Sequence, residues 1–283
     1  MPHAAPRRLI IAAITLICVS GMPVAWAQDT SAWDADMHSA ARLVAGSMIK
    51  TADEAYLRAG VEIRLGAGWK TYWRNPGDSG VPPTLDFVGS DNVRSVTVLW
   101  PAPERFPDGA GGYSIGYMGD IIFPLRVISK DAAKPASVHL KLAYAVCANL
   151  CVPAEANLKI SLTGDGAEEM ALEKAEMRVP RRVALGAGQG LAILSVHREP
   201  GDAHAGVVVE VAAPEDTPVD LFVEGPAPDW SLPLPEQTGR EATTRHFTFE
   251  LDGLPPEAHA EGATLTFTAV SGDDAIEVLA RLD

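Results

Sequence analysis

The chain has 283 residues, 47% of them hydrophobic and 21% charged, a soluble composition with length enough for two domains. A formal net charge of -14 argues against nucleic acid or an anionic membrane surface as the main partner, since both are polyanions. Three cysteines are too few for a disulfide-dense scaffold, and 25 glycines and 22 prolines against 6% aromatic residues favour short strands over long helices.

Residues 1–27 read as a Sec signal peptide. Arg7 and Arg8 are its positive region, Leu9 to Val19 its apolar run, and Ala25-Trp26-Ala27 a small-x-small cleavage site before Gln28. Cys18 lies inside the apolar run, which leaves Cys147 and Cys151 in the mature chain. No later stretch reaches the ~20 apolar residues of a membrane span. A periplasmic protein without direct membrane insertion is expected, in a compartment where a cysteine pair can oxidise.

From Ala41 to Leu162, short apolar runs between turn signals predict strands near Ala41–Ile49, Ala55–Leu65, Thr84–Phe87, Val93–Leu99, Ile121–Ser129, Val138–Val146 and Val152–Leu162. Alternation is clearest in Val138 to Leu142 and in Asn157 to Leu162, the pattern of half-buried strands. Gly66–Pro83 and Trp100–Asp120 are rich in Gly and Pro and are expected to be irregular loops. Trp69, Tyr72 and Trp73 within the first are expected to pack in the core. Gly166–Arg182 is rich in helix formers and stops at Pro180, which predicts a helical connector. Strands recur near Leu191–His197, Ala205–Ala213, Val219–Glu224, Arg245–Leu251, Thr264–Val270 and Ala275–Leu282. The expectation is therefore all-β: two immunoglobulin-like β-sandwich domains, 28–165 and 186–283, joined by a short helical connector at 166–185.

The segment with chemistry is Tyr144-Ala145-Val146-Cys147-Ala148-Asn149-Leu150-Cys151-Val152-Pro153-Ala154-Glu155. A three-residue hairpin loop usually needs one residue in the left-handed region, which Asn149 tolerates. Cys147 and Cys151 then oppose each other across the neck, at a spacing a disulfide can bridge. So small a loop gains little chain-entropy stabilisation from the bond. No Lys or Arg lies within four residues of either cysteine, so the local sequence offers no cation to favour a thiolate. Two other readings of the pair stand beside a redox role. It is a passive structural staple in a non-enzymatic adaptor, or it binds Cu(I) with Met118 or His139.

Gly68 to Gly80, Trp100-Pro101-Ala102-Pro103, Tyr117, Phe123-Pro124-Leu125 and Cys147 to Glu155 together resemble the N-terminal periplasmic domain of the thiol:disulfide interchange protein DsbD family, nearest its ScsB copper-sensitivity branch. The resemblance implies an immunoglobulin-like domain that relays electrons from a membrane-embedded thiol partner to oxidised periplasmic thioredoxin-fold proteins. It implies Cys151 as the attacking thiol and Cys147 as the resolving one, with Tyr144, Asn149, Pro153 and Glu155 around them. An aromatic cap is also implied, to be supplied by Tyr113 or Phe106. No cofactor or resident metal is expected, and the membrane relay is expected to be a separate protein. The three-residue spacer is shorter than that of DsbD itself, which places the chain on the ScsB side.

Overall fold

In the last strand of the first sandwich, Ala154, Ala156, Leu158, Ile160 and Leu162 are buried while the residues between them are exposed. That two-residue period turns one face of a strand to a core and the other to solvent, and it recurs through most of the chain. The computed structural model describes Met1 and residues 29–52, 54–201 and 204–283. The expected signal peptide, with Cys18, lies outside the described residues.

In chain order the first part contains β1 (Asp34–Ala35), β2 (Ser39–Lys50), β3 (Ala55–Leu65), β4 (Lys70–Gly77), β5 (Thr84–Asp86) and β6 (Val93–Val98). It continues with β7 (Glu104–Pro107), β8 (Tyr113–Met118), β9 (Ile121–Ser129), β10 (Ala136–Cys147) and β11 (Cys151–Leu162). One helix follows, α1 (Glu169–Met177), then β12 (Arg181–Arg182), β13 (Ala192–Glu199), β14 (Gly206–Ala212) and β15 (Asp220–Glu224). The chain ends with β16 (Glu236–Glu241), β17 (Thr244–Glu250), β18 (Thr264–Ser271) and β19 (Asp274–Arg281).

These strands form four sheets. The order β1-β2-β3-β9-β6 faces β11-β10-β4-β8-β7, in which β5 also pairs with β10. The later sheets run β12-β19-β18-β15 and β13-β14-β17-β16. The architecture is thus the expected all-β one, of immunoglobulin-like sandwiches with one short helix. Leu43, Val61, Trp73, Tyr117, Phe123 and Leu140 lie in the first core, and Val209, Phe247, Phe249, Phe267 and Val278 in the second.

Two expectations need correction. The Gly- and Pro-rich stretches expected as loops contain β4, β7 and β8, because sheet pairing holds backbone that local composition would leave irregular. The helix spans Glu169–Met177 rather than the whole of Gly166–Arg182, and Arg181–Arg182 is a strand paired in parallel with β19. The helix also docks on the first sandwich. Leu172 is fully buried over Gly46 and Gly60, where an added Cβ would come within 2.7 Å of its methyl groups. Arg58 beneath the helix is ion-paired with Glu169 and, at 2.9 Å, with Glu176.

The two sandwiches touch through β4 and β7 on one side and β15 on the other. Phe222 packs in the first core against Trp73, with ring centroids 5.7 Å apart. Arg105 donates to the carbonyls of Leu221 (3.1 Å) and Pro235 (3.2 Å). At the opposite end, β11 is an edge strand. Its Asn157 N–H points outward and donates to Asp34 Oδ2 at 2.9 Å. Pro153, four residues earlier and so directed the same way, has no N–H to offer.

Candidate functional site

β10 and β11 pair without a break from Ala136 opposite Leu162 up to Cys147 opposite Cys151. A disulfide joins the last pair, whose Cα atoms are 4.1 Å apart. Cys147 is buried, whereas Ala148, Asn149, Leu150 and Cys151 are exposed. Asn149 does not take the expected left-handed conformation, since none of the three loop residues has a positive φ. With the neck closed covalently, the turn need span only a short gap, and the Ala148 N–H meets the Leu150 carbonyl at 3.4 Å.

Alternation along β10 sends Val146 and Tyr144 into the core and groups Cys147 and Ala145 with Tyr72 on the other face. β4 lies next to β10, with Thr71 opposite Val146 and Lys70 opposite Cys147. On its other side Lys70 is opposite Met118 of β8. Residues directly opposed across strands share a face, so Cys151, Cys147, Lys70 and Met118 form one row across the sheet. The Tyr72 hydroxyl, two residues further along β4, lies 3.1 Å from Cys151 Sγ. A disulfide sulfur carries no hydrogen, so the hydroxyl donates. Burial pushes the Tyr72 phenol up from its ordinary pKa, which keeps it a donor throughout the neutral range. Its ring is held against Gly80, where a side chain would stand 2.5 Å from two ring carbons.

Lys70 directs its ammonium along the same face. Nζ donates to the buried Ser114 Oγ at 2.8 Å and sits 5.4 Å from the centroid of Phe106. The cation that the local sequence lacks is therefore brought in by strand pairing.

The other residues implied by the resemblance are spread more widely. Tyr144 is on the core side, its hydroxyl 2.7 Å from Ser39 Oγ. Asn149 stands exposed at the tip, and Pro153 and Glu155 are exposed on β11 at the same parity as Cys151. Glu155 lines an open groove of about 500 Å³ with Asp34, Asp86, Lys141 and Asn157. Phe106 connects to the cysteine row through Lys70. Tyr113 lies five residues from Met118 along β8, under the Arg105 guanidinium at 5.3 Å. The loop before it is shaped by Asp108, whose Oδ1 accepts from the N–H groups of Ala110 (2.8 Å) and Gly112 (3.0 Å). Those hydrogen bonds, Ala110's first, hold the Asp108 carboxyl below its ordinary pKa. Of the soft ligands considered with the cysteines, Met118 is separated from Cys147 by Lys70 in the row. His139 has its ring nitrogens at Val88 O (3.2 Å) and Asn157 Oδ1 (2.6 Å).

Residues 41–162 match the family described as thiol:disulfide interchange protein DsbD, N-terminal. Over these residues the first sandwich is similar to a DsbD N-terminal domain. The match takes in both cysteines, Lys70 and Tyr72, and every motif on which the resemblance was read. α1 and the two later sheets lie beyond the matched residues. Over a longer span the chain is similar to the crystal structure of the N-terminal periplasmic domain of ScsB from Proteus mirabilis. The TM-score is 0.69 at 20% identity, covering 90% of this chain and 98% of that one. This is a likeness of fold, and it includes the second sandwich as well as the first. Comparison with curated proteins gives no match.

Sequence reasoning missed Tyr72 and Lys70 as site residues. Tyr72 is buried, as expected of a core aromatic, but on the side of the sheet that carries the cysteines. The available signal was parity. Lys70 and Tyr72 alternate with Thr71 and Trp73, so two of the four had to face away from the core.

Proposed function

We propose that the chain is a periplasmic thiol-disulfide exchange protein whose Cys147–Cys151 pair passes reducing equivalents from a membrane-embedded thiol relay to oxidised thioredoxin-fold proteins. The observation that carries this reading is an exposed hairpin-tip disulfide with a buried, protonated tyrosine donating to Cys151, set in a domain similar to the N-terminal domain of DsbD. Among the described residues no helix is long and apolar enough to cross a membrane. The same proposal takes residues 1–27 as an export signal, 28–165 as the redox domain, 166–185 as a linker and 186–283 as a cysteine-free second domain.

In the reduced state, a hydrogen bond from Tyr72 stabilises the Cys151 thiolate more than the thiol, because charge-assisted bonds are the stronger ones. The thiolate attacks one sulfur of the partner disulfide. A Cys151–partner bond forms, and the partner's other sulfur leaves as a thiolate that takes up a proton. Cys147, deprotonated in turn, attacks Cys151 Sγ, which re-forms the Cys147–Cys151 disulfide and releases the partner's second sulfur. The partner gains two electrons and two protons, and the membrane relay's dithiol restores the pair by the same exchange in reverse.

Non-reducing electrophoresis with an oxidised thioredoxin-fold partner tests the assignment. Cys147→Ser is expected to accumulate a mixed disulfide through Cys151, and Cys151→Ser to accumulate little. The opposite pattern would reverse the roles. A reduction potential below about -300 mV, the range of inert structural bridges, would leave the pair a passive staple.

A further inference from the structure

β4 is held by the sheet over only part of its length. It pairs with β10 at Lys70 and Thr71, and with β8 at Lys70, Thr71 and Tyr72; the β8 register then breaks until Gly77. Residues 73–76, directly after the tyrosine that touches Cys151, are gripped instead by the second sandwich. Arg74 Nε and Nη2 make a two-pronged contact with Glu224 at 2.8 and 2.7 Å, and Nη2 also donates to Glu277 Oε2 at 2.7 Å. Asn75 Nδ2 donates to the Val223 carbonyl at 3.1 Å, and Trp73 packs on Phe222. Glu277, 8% exposed, is fixed from its far side by Arg182 Nε at 2.8 Å.

We propose that the second sandwich positions the redox site. Through the Arg74–Glu224/Glu277 clamp it fixes the free half of β4, and so holds the Tyr72 hydroxyl against Cys151. This rests on the exchange function proposed above and gives the cysteine-free domain a part in it. Arg74 touches neither sulfur and is a positioning residue. A planar guanidinium matched to a carboxylate sets orientation as well as distance, and this clamp sits two residues from Tyr72 on a strand with little slack between them. Tyr72 favours the dithiol state, because its hydrogen bond to a thiolate is stronger than one to a disulfide sulfur. Loosening the clamp should therefore make the disulfide harder to reduce and raise the pKa of the attacking thiol.

The test is a double-mutant cycle on the full chain, reading the equilibrium constant with glutathione and the thiol titration followed by thiolate absorbance. Arg74→Gln is expected to lower the constant for reduction by about threefold to tenfold, the scale of one hydrogen bond, and to shift the titration upward. Arg74→Lys should recover only part of the effect, since it keeps the charge and loses the fork. In a Tyr72→Phe background, Arg74→Gln should change nothing further. An additive cycle, or a folded Arg74→Gln with the wild-type constant and titration, overturns the proposal. Should Arg74→Gln not fold, Glu224→Gln, which alters only the second sandwich, is read in its place by the same criteria. If the wild-type chain does not exchange with glutathione at all, the proposed function itself fails; if it exchanges and the cycle is additive, only this inference does.

Discussion

At the scale of single residues, the site depends on two side chains of β4 that differ in what they do to sulfur. Tyr72 supplies a hydrogen bond to Cys151 and no charge. Lys70 supplies a charge opposite Cys147, at present engaged by Ser114 and Phe106. For Tyr72→Phe we expect the exchange rate with a small disulfide at neutral pH to fall about threefold to tenfold, with thermal stability changed by no more than about 1 kcal/mol. Stopped-flow kinetics beside a melting curve separates the two. For Lys70→Met we expect the thiol titration to move upward, since an ammonium nearby favours a thiolate. The shift should shrink with added salt, as the interaction is screened. The cysteines themselves were plain in the sequence, as a closely spaced pair between two alternating strands. Lys70 was not, because the charge opposite Cys147 comes from a strand 77 positions earlier whose register no local window contains.

At the scale of elements, the sequence disclosed strands wherever hydrophobic alternation was uninterrupted. β3 and β9 match their expected spans residue for residue, Ala55–Leu65 and Ile121–Ser129. β4 and β8 were hidden by Gly, Pro and Asn, and one of those glycines lets the two strands fit closely together. At Gly116, opposite Tyr72, a Cβ would lie 1.9 Å from the Thr71 carbonyl oxygen. Gly116→Ala must push β8 from β4, and we expect a loss of about 3 kcal/mol in denaturant unfolding, together with weakened exchange. The helix was legible from its composition, but its seat was not, since two glycines of β2 and β3 read as strand irregularities until Leu172 is placed over them. Leu172→Ala should cost about 2–5 kcal/mol. Because Leu172 contacts nothing near the cysteines, the potential of the disulfide should stay as it is.

At the scale of the whole molecule, the alternation patterns on either side of an acidic helical segment predict two β-rich halves. They do not predict the manner of their joining, because Arg74 stands in a stretch that reads as a turn and its partners are 150 and 203 residues away. Acid should act on this joint. Burial alone would raise the Glu277 pKa, but the hydrogen bonds and charges of Arg74 and Arg182 hold it below its ordinary value of 4.5. A carboxylate depressed in the folded state contributes stability that is complete above its unfolded pKa and is lost as pH falls through the folded one. We therefore expect the two sandwiches to loosen as pH falls below the ordinary glutamate range, seen as a change in tryptophan fluorescence before the sheets unfold. Glu277→Gln should remove that part of the acid response. The edge at β11 has a different bearing on the whole. In the proposed function each client must be released as readily as it is taken, and an open strand edge invites a backbone ladder that is slow to come apart. Beside Cys151 the next outward position is a proline and a further one is already occupied by Asp34, so a client's strand cannot zip down the sheet. Once its sulfur is freed, little remains to detain it, and the same blunted edge disfavours strand pairing between two copies of the chain.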